Sequence, residues 1–119
     1  MIATTNLFEA LPEAADAERF QPLLRRPGLL LERIVSHGQA TPDGQWYDQA
    51  WDEWILLLSG SAGLLIEGET EPRSMRPGDS LLLPARCRHR VAWTAPDSPT
   101  LWLALHYGAL PDHTAPNED

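Results

Sequence analysis

One carboxylate in this sequence stands where carboxylates are uncommon. Residues 46–60 read WYDQAWDEWILLLSG, so Glu53 begins an almost unbroken apolar run flanked by tryptophans. A charged side chain buried among such residues costs several kcal/mol unless another group compensates for it. Glu53 therefore either faces water or has a partner that pairs with it or coordinates it.

An imidazole that could be this partner lies in a segment of alternating charge. Residues 86–91 read RCRHRV, so three arginines alternate with Cys87, His89 and Val91. Successive side chains of a strand point to opposite faces. The alternation predicts His89 and Cys87 on the inner face. For the arginines it favours a solvated outer face, with acidic residues of a neighbouring strand as partners, over an anion-binding site.

The segments that must position these groups are short. Turn-forming residues recur along the chain and divide it into runs of about five to nine residues, which is the length of strands. These runs read LLLERIVSH, EWILLLS, AGLLIEG, SLLLPA, RHRVAW and TLWLALHY. Regular short strands without long intervening helices predict an all-β sandwich or barrel.

One segment is predicted to be helical. Residues 16–26 have Asp16 as a helix N-cap and are followed by Pro27 as a stop signal, although Pro22 lies inside the segment. We therefore expect a short irregular or helical stretch before the first strand.

The composition excludes several classes of function. The 119 residues suffice for one domain, and the net charge of -8, with arginine as the only basic residue besides histidine, opposes binding to nucleic acid. A single cysteine forms no intramolecular disulfide. The sequence shows no signal-peptide pattern, and no apolar run approaches the roughly 18 residues of a membrane span. We expect a cytoplasmic protein without a nucleic-acid or membrane partner.

Two spaced motifs resemble the paired signature of the cupin superfamily. Glu53 is followed after six residues by Gly60, and Gly78 is followed after five residues by Pro84 and then by His89. The resemblance covers roughly residues 28–107. It implies an antiparallel double-stranded jelly-roll barrel, in which two histidines and the glutamate of the first motif hold one divalent metal ion with the histidine of the second.

The first motif lacks its two histidines. Their positions hold either Tyr47 and Gln49 or Trp46 and Asp48. The resemblance then implies a metal site formed by Glu53 and His89 and completed by an oxygen of Gln49 or, less favourably, Asp48. Such a set suits manganese, iron or zinc, which take about three or four nitrogen, oxygen or sulfur ligands. The metal ion is itself an open question at this point, because neither assignment supplies an imidazole.

The remaining nucleophilic and ligating side chains are weaker candidates. His106, in TLWLALHY, and His37, at the end of LLLERIVSH, are additional possible ligands, but a strand histidine without a ligand role is the commoner case. His113 lies in the tail and is not expected to take part. For Cys87 the favoured interpretation is a small buried residue, since no histidine and orienting acid can be assigned to it.

Two functions remain open on this basis. The first is a metal-dependent enzyme of the dioxygenase, isomerase or decarboxylase type that acts on a small molecule. The second is a small-molecule-binding or regulatory cupin that has lost the metal and kept the cavity. A fold alone does not identify a substrate.

The expected organisation is an N-terminal extension over residues 1–27 packed on a barrel of residues 28–110, with a flexible tail over 111–119. Trp54, Leu56 and Leu58 alternate with Glu53 and its inward neighbours, so they should lie on the outer face of the sheet. An apolar outer face of this kind predicts a homodimer.

Overall fold

The computed structural model describes residues 2–13 and 17–111, and within these ranges the chain forms strands and no helix. The strands are β1 (Arg19–Arg26), β2 (Leu29–Ser36), β3 (Asp52–Ser59), β4 (Ala62–Ile66), β5 (Arg73–Met75), β6 (Ser80–Leu83), β7 (His89–Thr94) and β8 (Thr100–Tyr107). Each of the six predicted runs overlaps one of these strands, and the ends agree to within two residues. The described ranges include no helix long and apolar enough to cross a membrane.

The strands form two antiparallel sheets, one of five strands in the order β1-β2-β8-β3-β6 and one of three in the order β5-β4-β7. Apolar side chains of both sheets pack together, for example Leu57 and Trp102 from the larger sheet with Leu64 and Met75 from the smaller. The alternation of buried and less buried residues along β3 shows why these segments are strands, since one face is in the core. The all-β jelly-roll fold is confirmed.

The helix predicted over residues 16–26 is wrong. The segment forms β1, which pairs with β2 at the edge of the larger sheet, and the pairing register shifts between Pro22 and Leu24. Proline would destabilise a helix interior by about 3 kcal/mol, but it is tolerated at an edge strand or a bulge. Asp16 lies outside the described residues, as do His113 and residues 112–119 of the predicted tail.

The arginines around the start of β7 pair with acidic side chains, as predicted. Their partners belong to loops and turns rather than to a neighbouring strand. The ion pairs are Arg88 with Glu67 at 2.6 Å, Arg86 with Asp48 at 3.2 Å and Arg90 with Asp43 at 3.2 Å. The side chains of Arg86 and Arg88 are exposed, whereas that of Arg90 is only 16 % exposed.

Candidate functional site

A cavity opens between the two sheets beside Glu53. Its solvent-accessible volume is about 60 Å³, which is room for several water molecules or one small organic molecule. Its apolar wall is formed by Phe20, Ile34, Ile55, Leu64, Leu83, Val91 and Trp102. Its polar wall is formed by Glu18, Glu32, Tyr47, Gln49, Glu53, His89 and His106. An apolar cavity with a few convergent polar groups is the usual composition of a small-molecule site.

The larger sheet positions three of the polar side chains. Glu53 on β3 lies directly opposite His106 on β8, so the two side chains are neighbours on the inner face. On β2, Glu32 is opposite Ala104 and therefore diagonal to His106 on the same face. Antiparallel register alone thus brings a buried imidazole between two carboxylates.

The smaller sheet supplies His89, which is fixed by the loop that precedes β3. Tyr47 and His89 exchange two backbone hydrogen bonds: the Tyr47 N–H donates to the His89 oxygen at 2.8 Å, and the His89 N–H donates to the Tyr47 oxygen at 3.1 Å. Their rings stack with centroids 5.4 Å apart. This bridge holds both side chains in the wall of the cavity.

The proton on the His106 ring is located by its neighbours. The indole N–H of Trp51 donates to Nδ1 at 3.0 Å, and Nε2 lies 2.9 Å from Oε2 of Glu32. Indole is only a donor and an ionised carboxylate only an acceptor, so Nδ1 must be bare and Nε2 must carry the proton. His106 is therefore held as a neutral imidazole that donates to Glu32.

His89 has the opposite arrangement. Its Nδ1 lies 2.9 Å from the carbonyl oxygen of Cys87, so Nδ1 carries a proton and donates to that oxygen. Nε2 points towards Oε1 of Glu53 at 3.6 Å. Because Nδ1 is committed, Nε2 is the atom of this ring that can accept or release a proton in the cavity.

Glu53 is buried between the two imidazoles. Only 7 % of its surface is exposed, and its carboxylate oxygens lie 3.6 Å from Nε2 of His89 and 3.7 Å from Nε2 of His106. Both distances exceed the length of a hydrogen bond, so neither imidazole donates directly to this carboxylate. This geometry explains how an acidic residue fits beside the run WILLL: it faces a cavity between two imidazoles.

A third carboxylate, Glu18, lies just before β1. Burial raises the pKa of this carboxyl above its ordinary value of 4.5, and the hydrogen bond from the Ser36 hydroxyl partly opposes the shift. Burial acts in this direction because it disfavours the charged form of the group.

The structure brings some of the predicted site residues together and separates others. Gln49, Glu53 and His89 all line the cavity, and so does His106. Asp48 lies outside it on the surface, paired with Arg86. His37 follows β2 and is not among the described residues that line the cavity. Cys87, also outside the cavity, packs against the hydrophobic core.

The donor set does not fit the divalent metal ion that the resemblance implies. Glu53 and His89 lie close enough to share an ion, and the predicted third ligand, Gln49, also lines the cavity. Manganese, iron and zinc take about three or four ligands, however, and the neutral amide oxygen of Gln49 is a poorer ligand for iron or zinc than an imidazole. His106 cannot serve as a ligand through Nε2, because that nitrogen carries the proton donated to Glu32. Across the described ranges, no three histidine, cysteine, aspartate or glutamate side chains are grouped to hold an ion.

Three residues of the site were missed from the sequence. Glu32 follows the parity of its strand, since Leu30 and Ile34 on the same face are apolar, and that signal would have placed it inside. Trp51 and Glu18 gave no such signal. Trp51 takes part by donating to the ring of His106, which is 55 residues away in sequence. Glu18 directly precedes β1, a strand that lies in the segment predicted to be helical.

The chain resembles several proteins of known structure. A protein from Ralstonia eutropha JMP134, provisionally described as a mannose-6-phosphate isomerase, is 57% identical, with 91% of this chain and 100% of that chain covered and a TM-score of 0.87. TT1209 from Thermus thermophilus is 18% identical over 89% of this chain and 97% of its own, with a TM-score of 0.72. The polyketide cyclase RemF from Streptomyces resistomycificus is 18% identical over 90% and 80%, with a TM-score of 0.70. The last two likenesses show the fold alone.

The sequence itself matches a family model. No curated protein matches the chain, but the model of the cupin domain matches residues 34–106, which include Glu53, His89 and His106. This range contains both motifs and seven of the eight strands in whole or in part. The chain belongs to the cupin family.

Proposed function

We propose that this protein is an isomerase-type enzyme that moves a proton on a small hydroxy-carbonyl compound without a metal ion. The observation that carries the proposal is Glu53, a buried carboxylate that faces the cavity and lies 3.6 Å from Nε2 of His89 and 3.7 Å from Nε2 of His106, beyond hydrogen-bond distance of either. A carboxylate in such a place is available as a general base. Its neighbours, His89 and His106, present chemically different ring atoms to it.

The proposed reaction uses two side chains of the cavity. Glu53 removes the proton from the carbon next to the substrate carbonyl, and the electron pair of that C–H bond forms a carbon–carbon double bond. The carbonyl oxygen takes a proton from Nε2 of the protonated His89, which gives an enediol. Nε2 then accepts the proton of the second hydroxyl, and Glu53 returns its proton to the former carbonyl carbon. The product is the isomeric carbonyl compound, and both side chains recover their starting forms.

His106 acts as a positioning residue in this proposal. Its neutral ring is fixed by Trp51 on one side and Glu32 on the other, and it lies 3.7 Å from Glu53 without adding a charge there. A ring held in this way limits the movement of the neighbouring base without pairing with its charge.

Two further findings support the choice of reaction. The Ralstonia eutropha protein, at 57% identity, is described as an isomerase. The donor set of the cavity does not favour the metal-dependent dioxygenase or decarboxylase alternatives. Nε2 of His106 donates its proton to Glu32, and among the described residues no three histidine, cysteine, aspartate or glutamate side chains are grouped to hold an ion.

Hydrogen isotope exchange tests the proposal. Chelator-treated protein in D₂O is incubated with dihydroxyacetone, glyceraldehyde, mannose and their phosphates, and deuterium at the carbon next to the carbonyl is followed by mass spectrometry. We expect incorporation that falls about a hundredfold or more in Glu53→Gln, the scale of a lost general base. Glu67→Gln, on the surface, should behave as the parent protein.

Two results would contradict the proposal. Exchange that appears only when manganese, iron or zinc is supplied would identify a metal-dependent enzyme. Absence of exchange with every compound would favour the small-molecule-binding or regulatory function.

A further inference from the structure

The cavity is rich in hydrogen-bond acceptors and carries almost no positive charge. Glu18, Glu32 and Glu53 contribute three carboxyl groups to its wall, and none of the described residues that line it is an arginine. The chain has no lysine. Recognition of a phosphate group normally uses guanidinium groups, ammonium groups or a nest of backbone N–H groups.

Four of the nine arginines have partners outside the cavity. Arg86, Arg88 and Arg90 pair with acidic side chains outside the barrel. Arg33 lies on the face of β2 opposite Glu32, where its guanidinium donates to the backbone oxygens of Leu7 at 3.0 Å and Glu9 at 2.9 Å. None of these groups faces the cavity.

The two imidazoles do not offset the excess of carboxylates in the cavity wall. Nδ1 of His106 accepts the Trp51 indole N–H, and its Nε2 faces Glu32, so this ring carries one proton and no net charge in this arrangement. Nε2 of His89 lies 3.6 Å from the carboxylate of Glu53, which would balance a charge on that ring. A dianionic phosphate in this cavity would lose its hydration and face carboxylates instead of cations.

Glu53 also indicates what the cavity requires. It is 7 % exposed, faces the cavity and lies beyond hydrogen-bond distance of both imidazoles. Ionised carboxylates accept short, strong hydrogen bonds from hydroxyl groups. A ligand with several hydroxyl groups and no anionic group would supply donors where the wall supplies acceptors.

We infer that the substrate is a small, uncharged polyhydroxy-carbonyl compound and that phosphorylated sugars are excluded by the carboxylates of the cavity. The inference rests on the proposed function for the reactive carbonyl, but the preference for an uncharged ligand follows from the wall of the cavity. The mannose-6-phosphate isomerase description of the Ralstonia eutropha protein would then not extend to the substrate of this chain.

Paired ligands that differ only by a phosphate group test this preference. Dihydroxyacetone, glyceraldehyde and mannose, each with its phosphate, are titrated into the full chain at pH 8 while the ring signals of His89 and His106 are followed by NMR. We expect at least one uncharged member to shift these signals and its phosphate to bind on the order of tenfold more weakly or worse. Glu18→Gln should reduce the ratio of the two dissociation constants, phosphate to uncharged compound, several-fold. Glu67→Gln should leave this ratio unchanged.

The outcomes separate this inference from the proposed function. Phosphates that bind as tightly as the uncharged members, or no shift with any of the six compounds, would overturn the inference. Isotope exchange with the phosphates alone would also overturn it while leaving the proposed reaction in place. Selective binding of uncharged members without exchange would support the inference and contradict the reaction.

Discussion

At the scale of single residues, the site depends on which nitrogen of each imidazole carries a proton. Trp51 and Glu32 decide this for His106, and the carbonyl of Cys87 decides it for His89. The two rings therefore offer different atoms to Glu53: a committed N–H from His106 and a titratable nitrogen from His89. Such an assignment needs no unusual side chain, only partners that can act solely as donor or solely as acceptor.

Trp51→Phe should release the His106 ring. Phenylalanine keeps most of the volume but removes the indole N–H that occupies Nδ1, so Nδ1 becomes free to take a proton. We expect ¹⁵N NMR to show a single neutral tautomer of His106 in the parent protein and a mixture or a charged ring in the variant. Trp93→Phe, at an exposed site of the smaller sheet, is the matched control. An unchanged His106 spectrum in Trp51→Phe would contradict the assignment.

Glu18 should make stability depend on pH in a defined direction. Burial raises the pKa of this carboxyl, so the folded state binds its proton more tightly than the unfolded state does. The resulting stabilisation is fully present below the ordinary value of 4.5 and is lost as the pH rises through the raised pKa. The glutamine of Glu18→Gln cannot ionise. The free energy of unfolding of this variant, relative to that of the parent, should therefore be higher at pH 8 than at pH 4. Urea denaturation at both pH values measures this.

The control for this measurement is Glu67→Gln, which removes a carboxylate from the surface. The stability of Glu67→Gln relative to the parent should not rise from pH 4 to pH 8, because Glu67 pairs with Arg88 at the surface and is not desolvated. If Glu18→Gln and the parent differ in stability by the same amount at both pH values, burial does not raise the pKa of this carboxyl.

At the scale of elements, the turn after β3 sets the geometry of the barrel. Gly60 has a φ of +86°, and a Cβ built there would lie 2.5 Å from Oγ1 and 2.7 Å from Cα of Thr100. Only glycine adopts this conformation readily and also allows β8 to approach so closely. The glycine of the first motif therefore has a structural purpose that is independent of any ligand.

Gly60→Ala should destabilise the fold by about 2–4 kcal/mol, because strain at positive φ and steric overlap with Thr100 add together. Gly68→Ala is a matched control: its φ is +96°, but a Cβ there meets nothing within 4 Å. It should lose only about 1–2 kcal/mol from the backbone conformation. Urea denaturation measures both variants, and equal losses would contradict the close approach of β8.

At the scale of the whole molecule, the outer face of the larger sheet carries an apolar row that crosses all five strands. Strand register places these side chains side by side: Leu82, Trp54, Leu105, Leu31 and Leu24. The two ends of the row are the most open, with Leu82 53 % and Leu24 39 % exposed. An uncharged row is a surface where two copies of a chain with net charge -8 can meet with little repulsion.

We therefore propose that a second copy of this chain covers the row, and we expect light scattering to give about twice the 13.3 kDa of one chain at tens of micromolar. Leu82→Arg should shift the mass towards the monomer, since it places a charge in the row. Trp93→Arg, on the smaller sheet, should not. A parent protein that is monomeric at this concentration, or a dimer unaffected by Leu82→Arg, would contradict the proposal.

The sequence by itself determined much of the fold and part of the site. Short apolar runs between turn residues predicted the strands, because a period of two and frequent chain reversals leave few alternatives. The motif spacing identified Glu53 and His89 together, and the alternation of residues 86–91 predicted the outward arginines with their acidic partners. These features are local, so they can be read along the chain.

Only the tertiary structure decided how those groups behave. β1 is a strand because β2 offers it an edge to pair with, and that pairing outweighs the local helix signals of residues 16–26. His106 lies 74 residues from Glu32 and 55 from Trp51 in sequence, and these two contacts fix its proton. Burial, tautomer and cavity charge arise from groups that distant strands bring together, and no local pattern records which partners those will be.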